Sequence, residues 1–152
     1  MKSICLGALG CLLLVLPALA AEPGFRAQFV GGTLPEIEIK SSARLDLSGS
    51  DALVVRSGRV ESRIDYGKIN SIEYGQNVSR RYAAAVLISP VLLLSKSRKH
   101  FVTVGYEDTE GKQQALVFRV DKGDIRSMLA SLEARTGRRV EYQDDEARRG
   151  RR

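Results

Sequence analysis

His100 is the only histidine of the chain and the side chain best suited to acid–base chemistry near neutral pH. A histidine that acts as a general base needs a second group to orient its ring, and no sequence signal around Lys99 and His100 supplies one. The signatures GxSxG, HExxH, GxGxxG and GxxxxGK[ST] are absent from the sequence. We therefore expect His100 to be a surface or strand-edge residue, and the protein not to be an enzyme.

The acidic run Asp144-Asp145-Glu146 is the one cluster of hard oxygen ligands that could hold a divalent cation. Arginines follow it directly, and a flexible acidic cluster of this kind is typical of a solvated tail. We expect residues 144–152 to be a charged, disordered tail, and the protein to use neither a metal nor another cofactor.

Residues 1–20 carry the pattern of a secretory signal peptide. A lysine precedes a short apolar run, Pro17 ends that run, and small residues up to Ala20 suit cleavage there or one residue later. Both cysteines, Cys5 and Cys11, lie inside this segment, so the mature chain would have no thiol and no disulfide. We expect an exported protein, periplasmic or extracellular, that is held together by its core alone.

The most apolar part of the remaining chain is AAAVLISPVLLL, residues 83–94. Between Glu73 and Glu107 there is no acidic residue, whereas basic residues stand on both sides of the apolar stretch. Twelve residues of helix would measure about 18 Å, less than the roughly 30 Å hydrocarbon core of a bilayer. Pro90 also interrupts the stretch, so it cannot cross a membrane as one helix.

Two interpretations of this segment stay open at the level of sequence. In the first, its apolar side chains complete the core of a small barrel. In the second, they form an exposed lobe against a membrane or a partner, and each flanking basic residue contributes on the order of 1 kcal/mol on anionic headgroups. The candidate contact residues are Arg80, Arg81, Val86, Leu87, Ile88, Leu92, Leu93, Leu94, Lys96, Arg98 and Lys99.

The distribution of charge argues against a nucleic-acid-binding domain. Beyond residue 20 the chain has 23 Lys and Arg (24 less Lys2) against 18 Asp and Glu, a net charge of +5. Four of these positive charges are arginines at the end of the tail, which leaves the body at +1. We expect the partner to be an anionic membrane surface or an envelope protein, and not a nucleic acid.

Short alternating runs predict a mainly β protein. Residues 21–35 contain Gly31-Gly32 and Pro35 and are predicted to be a flexible leader. A two-residue hairpin is predicted at Ser57-Gly58. The predicted strands are Glu36–Lys40, Arg44–Leu47, Ala52–Arg56, Val60–Tyr66, Ile69–Tyr74, His100–Glu107 and Gln113–Val120.

The period changes to that of a helix within residues 121–137. One apolar stripe, Asp124 as N-cap and Gly137 after the last turn predict an amphipathic helix with one buried face. The stripe consists of Ile125, Met128, Leu129 and Leu132. Residues Val140 to Tyr142 are predicted to add a short extended piece.

Three stretches carry a resemblance to a known family: INSIEYG at 69–75, KHFVTVGYED at 99–108 and VFRVDKGDIRSMLASLEARTGRRVEYQ at 117–143. They resemble small exported bacterial proteins with pleckstrin-homology-like (PH-like) or GRAM-like domains. The resemblance implies that residues 36–143 form a small antiparallel barrel or sandwich of six to seven strands, closed by a C-terminal amphipathic helix. It also implies a non-catalytic binding or scaffolding module, with residues 80–100 as an apolar insertion.

Phosphoinositide-binding members of the PH-like group carry a K-x(n)-R-x-R pattern across their first hairpin. Lys40, Arg44, Arg56 and Arg59 are basic but do not reproduce this pattern. No lipid headgroup site is therefore carried over to these residues.

Overall fold

A computed structural model describes residues 23–76, the backbone of residues 87–88, and residues 99–143. The predicted signal peptide, most of the apolar stretch and the charged tail lie outside these residues. The described strands are β1 (Phe25–Gly32), β2 (Ser42–Asp46), β3 (Ala52–Ser57), β4 (Val60–Asp65), β5 (Ile69–Gly75), β6 (Leu87–Ile88), β7 (His100–Glu107), β8 (Gln113–Val120) and β9 (Val140–Tyr142). The described helices are α1 (Ile125–Thr136) and a single 3-10 turn (Tyr66–Lys68) between β4 and β5.

The described part of the chain is mainly β, with all nine strands in one open sheet. Eight of them follow the order β4-β3-β2-β1-β8-β7-β5-β9, and every neighbouring pair is antiparallel except β5 and β9. The ninth strand, β6, pairs with Gly31 and Gly32 at the end of β1. β2 pairs only with the first half of β1, so β6 continues on the same side of β1 beyond the end of β2.

Most predicted strands are confirmed, because short apolar or alternating runs bounded by turn residues are typical of strands in a sheet. β7 and β8 have the predicted bounds, and β2, β3, β4 and β5 differ from them by one or two residues. The hairpin after β3 is displaced by one residue, since Ser57 pairs with Val60 and the turn is Gly58-Arg59. Gly58 has a φ of +58°, which a glycine adopts without strain.

The predicted flexible leader at 21–35 is wrong for most of its length. Phe25–Gly32 is β1, which lies between β2 and β8 near the middle of the sheet. Phe29 and Val30 are fully buried. A Cβ atom on Gly32 would lie 2.8 Å from Cδ2 of Leu116, so this glycine permits close packing and does not mark a flexible linker.

The predicted strand at Glu36–Lys40 is also wrong. These residues form a turn in which Ile37 is buried and Ile39 is exposed. Lys40 has a φ of +72°, outside the extended region, and its N–H donates to the carbonyl of Phe29. The segment therefore alternates charged and apolar residues as a strand does, but it is a loop that buries one side chain and pairs with no described strand.

One face of the sheet, called here the inner face, carries the hydrophobic core. The rings of Phe29 and Phe118 lie 5.8 Å apart at its centre. All four residues of the predicted helical stripe are buried in the same cluster, so α1 packs on this face. The strand residues of the cluster include Leu45, Val55, Ile64, Ile72, Val102, Val104, Leu116 and Phe118.

Helix α1 begins and ends where it was predicted, but only its C-terminal end is capped as predicted. Asp124 precedes the first turn, yet its side chain makes no capping hydrogen bond. Gly137 adopts a φ of +67°, and its N–H donates to the carbonyl of Glu133 at 2.9 Å. The Glu133 carboxylate then accepts from the N–H of Val140, which leads the chain into β9.

Asp46 fixes the turn between β2 and β3. Its carboxylate accepts hydrogen bonds from the hydroxyl and the N–H of Ser48, at 2.6 and 2.9 Å. It also pairs with the Arg56 guanidinium at 2.9 Å, which in turn pairs with Glu61. The Ser48 hydrogen bonds, helped by Arg56, lower the pKa of Asp46 from 3.8 to about 2.

Leu132→Ala should lower the free energy of unfolding by about 2–5 kcal/mol, because Leu132 is fully buried where α1 meets the inner face. Urea denaturation followed by circular dichroism measures this change. Ile39→Ala, at an exposed position, is the control and should change stability by less than about 0.5 kcal/mol. Equal effects of the two substitutions would contradict the packing of α1.

Asp46→Asn should make the free energy of unfolding depend less on pH below 3.8. The pKa of Asp46 is lower in the folded chain than when unfolded, so its contribution is complete above 3.8 and is lost as the pH falls towards 2. Denaturation midpoints measured across that pH range should fall less in Asp46→Asn than in the unchanged protein. Parallel curves would show that Asp46 does not titrate in this way.

Candidate functional site

The predicted contact segment returns to the described structure at Lys99 and His100, where β7 begins. Of the predicted contact residues, Lys99 is described with its side chain, and Leu87 and Ile88 are described as backbone strand β6. The others, Arg80, Arg81, Val86, Leu92, Leu93, Leu94, Lys96 and Arg98, lie outside the described residues.

An open recess of about 230 Å³ lies at the end of the β7–β8 pair. Register brings its walls together: His100 pairs with Val120, and Phe101 with Arg119, so the end of β8 lies beside the start of β7. The turn after β8 completes it. We call this the cationic recess, and its lining residues are Lys99, His100, Arg119, Val120, Asp121 and Lys122.

The described residues that line the cationic recess carry an excess of positive charge. Three cations, Lys99, Arg119 and Lys122, face one carboxylate, Asp121. Among the described residues, no carboxylate forms a salt bridge with any of the three. Arg56 differs, because two carboxylates hold it. Clustered cations without counter-charges attract and bind anions, and guanidinium and ammonium groups suit phosphate oxygens.

His100 lines the recess, and its ring is hydrogen-bonded to Tyr74. The Tyr74 hydroxyl and the Nδ1 atom of His100 lie 2.6 Å apart, and the two rings are nearly parallel at 5.9 Å. Tyr142 packs edge-on against the other side of Tyr74 at 5.9 Å. His100 therefore begins an interior strand and has an orienting partner, whereas the sequence suggested a strand edge or surface without one.

The lining of the cationic recess contains no serine, threonine or cysteine that could act as a nucleophile. No group of three or more histidine, cysteine, aspartate or glutamate side chains within residues 23–76 and 99–143 could hold a metal ion. What the described groups can do is bind an anion by charge and hydrogen bonding. Of two further recesses, the one of about 630 Å³ has two basic side chains against one acidic, and the one of about 380 Å³ has two of each.

Comparisons with known proteins give no lead beyond this geometry. No protein-family model matches the chain, and no curated protein matches it. In the part of the chain that the structure describes, no helix has both the length and the apolar character needed to cross a bilayer.

Tyr74→Phe should lower the free energy of unfolding by about 1 kcal/mol, because His100 loses its buried hydrogen-bond partner. Urea denaturation measures the change. Tyr142→Phe is the matched control, since its ring packs against Tyr74 while no described residue hydrogen-bonds its hydroxyl, and it should be nearly neutral. If both variants lose the same stability, the Tyr74–His100 hydrogen bond does not support the recess wall.

Proposed function

We propose that the protein is a non-catalytic, exported binding module of the PH-like kind, which attaches peripherally to an anionic membrane surface through its cationic recess. The predicted signal peptide in residues 1–20 supports export. The observation that carries the proposal is the gathering of three cations, free of salt bridges to described residues, at one end of the sheet.

The strand order supports the PH-like part of the proposal. Leaving aside the short strands β6 and β9, one group of antiparallel strands runs β1 to β4 and a second runs β5, β7, β8. Pairing of β1 with β8 joins the two groups, and α1 follows and packs on their shared core. The order of strands followed by one helix favours the PH-like assignment, while the barrel of six to seven strands stays part of the proposal, because the described strands form an open sheet.

The charge of the neighbouring sequence favours a membrane surface as the anionic partner. Lys96 and Arg98 immediately precede Lys99, and Arg80 and Arg81 precede the apolar stretch. The chain from residue 21 to the arginine tail has a net charge of only +1, and five basic residues without an acid stand between Glu73 and Glu107. Positive charge is therefore concentrated in one part of the sequence and not spread along a nucleic-acid track. A planar anionic surface can meet several such cations at once, each contributing about 1 kcal/mol.

The PH-like resemblance does not transfer a phosphoinositide site. Arg56 is a poor candidate for binding a headgroup phosphate, because its guanidinium already pairs with Asp46 and Glu61. The proposed surface lies instead at the β7–β8 end, and three strand spacings separate β8 from β3 and its hairpin.

A second candidate function is binding of an envelope protein without membrane contact. It is favoured by β4, a six-residue strand that ends the strand order and has no described strand on its outer side. Such an edge can accept a strand from a partner, although its exposed Glu61, Arg63 and Asp65 also discourage unspecific pairing.

Co-sedimentation with vesicles tests the proposal. The chain from residue 21 onward should bind vesicles that contain phosphatidylglycerol and not vesicles of phosphatidylcholine alone, and added salt should weaken the binding. Arg119→Glu with Lys122→Glu should reduce binding by roughly tenfold or more, since two favourable charges become unfavourable.

The matched control is Arg63→Glu with Lys68→Glu, which makes the same charge change on exposed residues of the β4 side. This variant should retain most of the binding. Equal losses of binding in the two variants would show that binding depends on the net charge of the protein and not on the cationic recess. Failure of the unchanged protein to bind either vesicle would contradict the membrane proposal and leave the β4 edge as the candidate surface.

A further inference from the structure

The two ends of the described sheet differ in how open they are to another strand. β9 ends the strand order on one side with three residues, and a short edge strand is a common protection against pairing with other chains. β4 ends it on the other side with six residues, all of which pair with β3 without a bulge. β4 contains no proline and no lysine, which are other common means of protecting an edge. β4 is therefore the edge that suits a further strand.

The backbone of β4 offers hydrogen-bonding groups on the side away from β3. Ser57 and Val60 flank a two-residue turn, so this pair exchanges two backbone hydrogen bonds, and hydrogen-bonded pairs then alternate along the hairpin. The residues between those pairs, Glu61, Arg63 and Asp65, direct their N–H and C=O groups away from β3. All three are exposed, and no described backbone hydrogen bond outside the sheet involves them. A further strand would satisfy these groups.

The sequence of this edge, RVESRID at 59–65, is complementary to itself in an antiparallel pairing centred on Ser62. In that register Glu61 of one copy lies opposite Arg63 of the other, and the outermost charges of the stretch, one basic and one acidic, also lie opposite each other. The two apolar residues of β4 face each other, and Ser62, which is small and uncharged, faces itself. Opposite charges across a strand pair stabilise the pair, whereas like charges directly opposite destabilise it.

The charges of β4 select this register among the alternatives. A shift by two residues in either direction keeps the hydrogen-bonding pattern but places Glu61 opposite Glu61, or Arg63 opposite Arg63, of the second copy. A parallel pairing in register places like charges opposite each other at every charged position. The Glu61 carboxylate also pairs with Arg56, but about half of the Glu61 side chain is exposed (51%), and a carboxylate accepts from more than one donor.

We infer that β4 pairs with β4 of a second copy of the chain, antiparallel and centred on Ser62, to form a two-fold symmetric dimer. The axis runs perpendicular to the sheet, so the inner faces of both copies lie on the same side, and Val60 of each copy lies beside Ile64 of the other. The contact is one pair of strands, smaller than a standard interface, so the dimer dissociates on dilution. The inference is independent of vesicle binding, and it assigns the β4 edge to a second copy and not to an envelope protein.

Charge reversal followed by analytical ultracentrifugation tests the inference, on the chain from residue 21 onward and without lipid. The unchanged chain should form dimers as its concentration rises. Glu61→Arg and Arg63→Glu each turn two opposite-charge pairs of the dimer into like-charge pairs, so each should raise the dissociation constant roughly tenfold or more. Both substitutions in one chain should restore the dimer, because each arginine again faces a glutamate. An equal mixture of the two single variants should form mixed dimers for the same reason.

Glu110→Arg is the matched control for Glu61→Arg. Glu110 is exposed and pairs with Lys112, as Glu61 pairs with Arg56, so the control makes the same change of charge and also removes a surface salt bridge. It should leave the dissociation constant unchanged. A chain that stays monomeric at every concentration at which it is soluble would overturn the inference. So would a dimer that survives both single reversals, or one that the combined substitutions do not restore.

Cysteine cross-linking tests the register, and it decides the matter if a charge-reversed variant does not fold. The chain from residue 21 onward has no cysteine. Under mild oxidation Ser62→Cys should form a disulfide between two copies, because directly opposite residues without mutual hydrogen bonds have Cα atoms about 4.5 Å apart. Glu61→Cys should form one quickly only when it is mixed with Arg63→Cys. Glu110→Cys, exposed at another turn, measures the rate of random collision. Equal rates for Ser62→Cys and Glu110→Cys would overturn the inference.

Discussion

Burial of β7 and β8 on both faces is the constraint on which the rest of the structure depends. A sheet with one solvated face can be completed by a single helix, and α1 does this for the inner face. Val117 and Phe101 on the other side are as well buried as Leu116 and Val102. The central strands are therefore packed on both faces, and α1 provides the apolar layer on one of them.

The same constraint explains which elements could be predicted from sequence. β2, β4 and α1 show clear periodicity because each has one polar side, whereas β8 has a continuous apolar run and was predicted from its length and its spacing from the preceding turn. β1 was missed because Gly31-Gly32 was interpreted as flexible, although Gly32 is required by close contact with Leu116. Glu36–Lys40 has the period of a strand but no neighbour to pair with. Pairing partners are a property of the fold and not of the local sequence.

Only part of the candidate site could be predicted from the sequence, because its residues are brought together by strand pairing. Lys99 belongs to a basic run that is visible in the sequence. Arg119 and Lys122 join it only because the register of β8 against β7 places His100 opposite Val120. Tyr74 supports His100 across 26 positions of sequence, and local patterns carry no signal for such a contact. The result is a positive end of the sheet, whose cations come from the residue before β7, from β8 and from the turn after β8.

The most direct test of this account is a titration of the folded chain, from residue 21 onward, with phosphatidylglycerol vesicles, followed through its backbone amide signals. The amide signals of Lys99, Arg119 and Lys122 should change at lower lipid concentration than those of Arg63 and Lys68. Equal changes at the two places, or no change at either, would contradict the account.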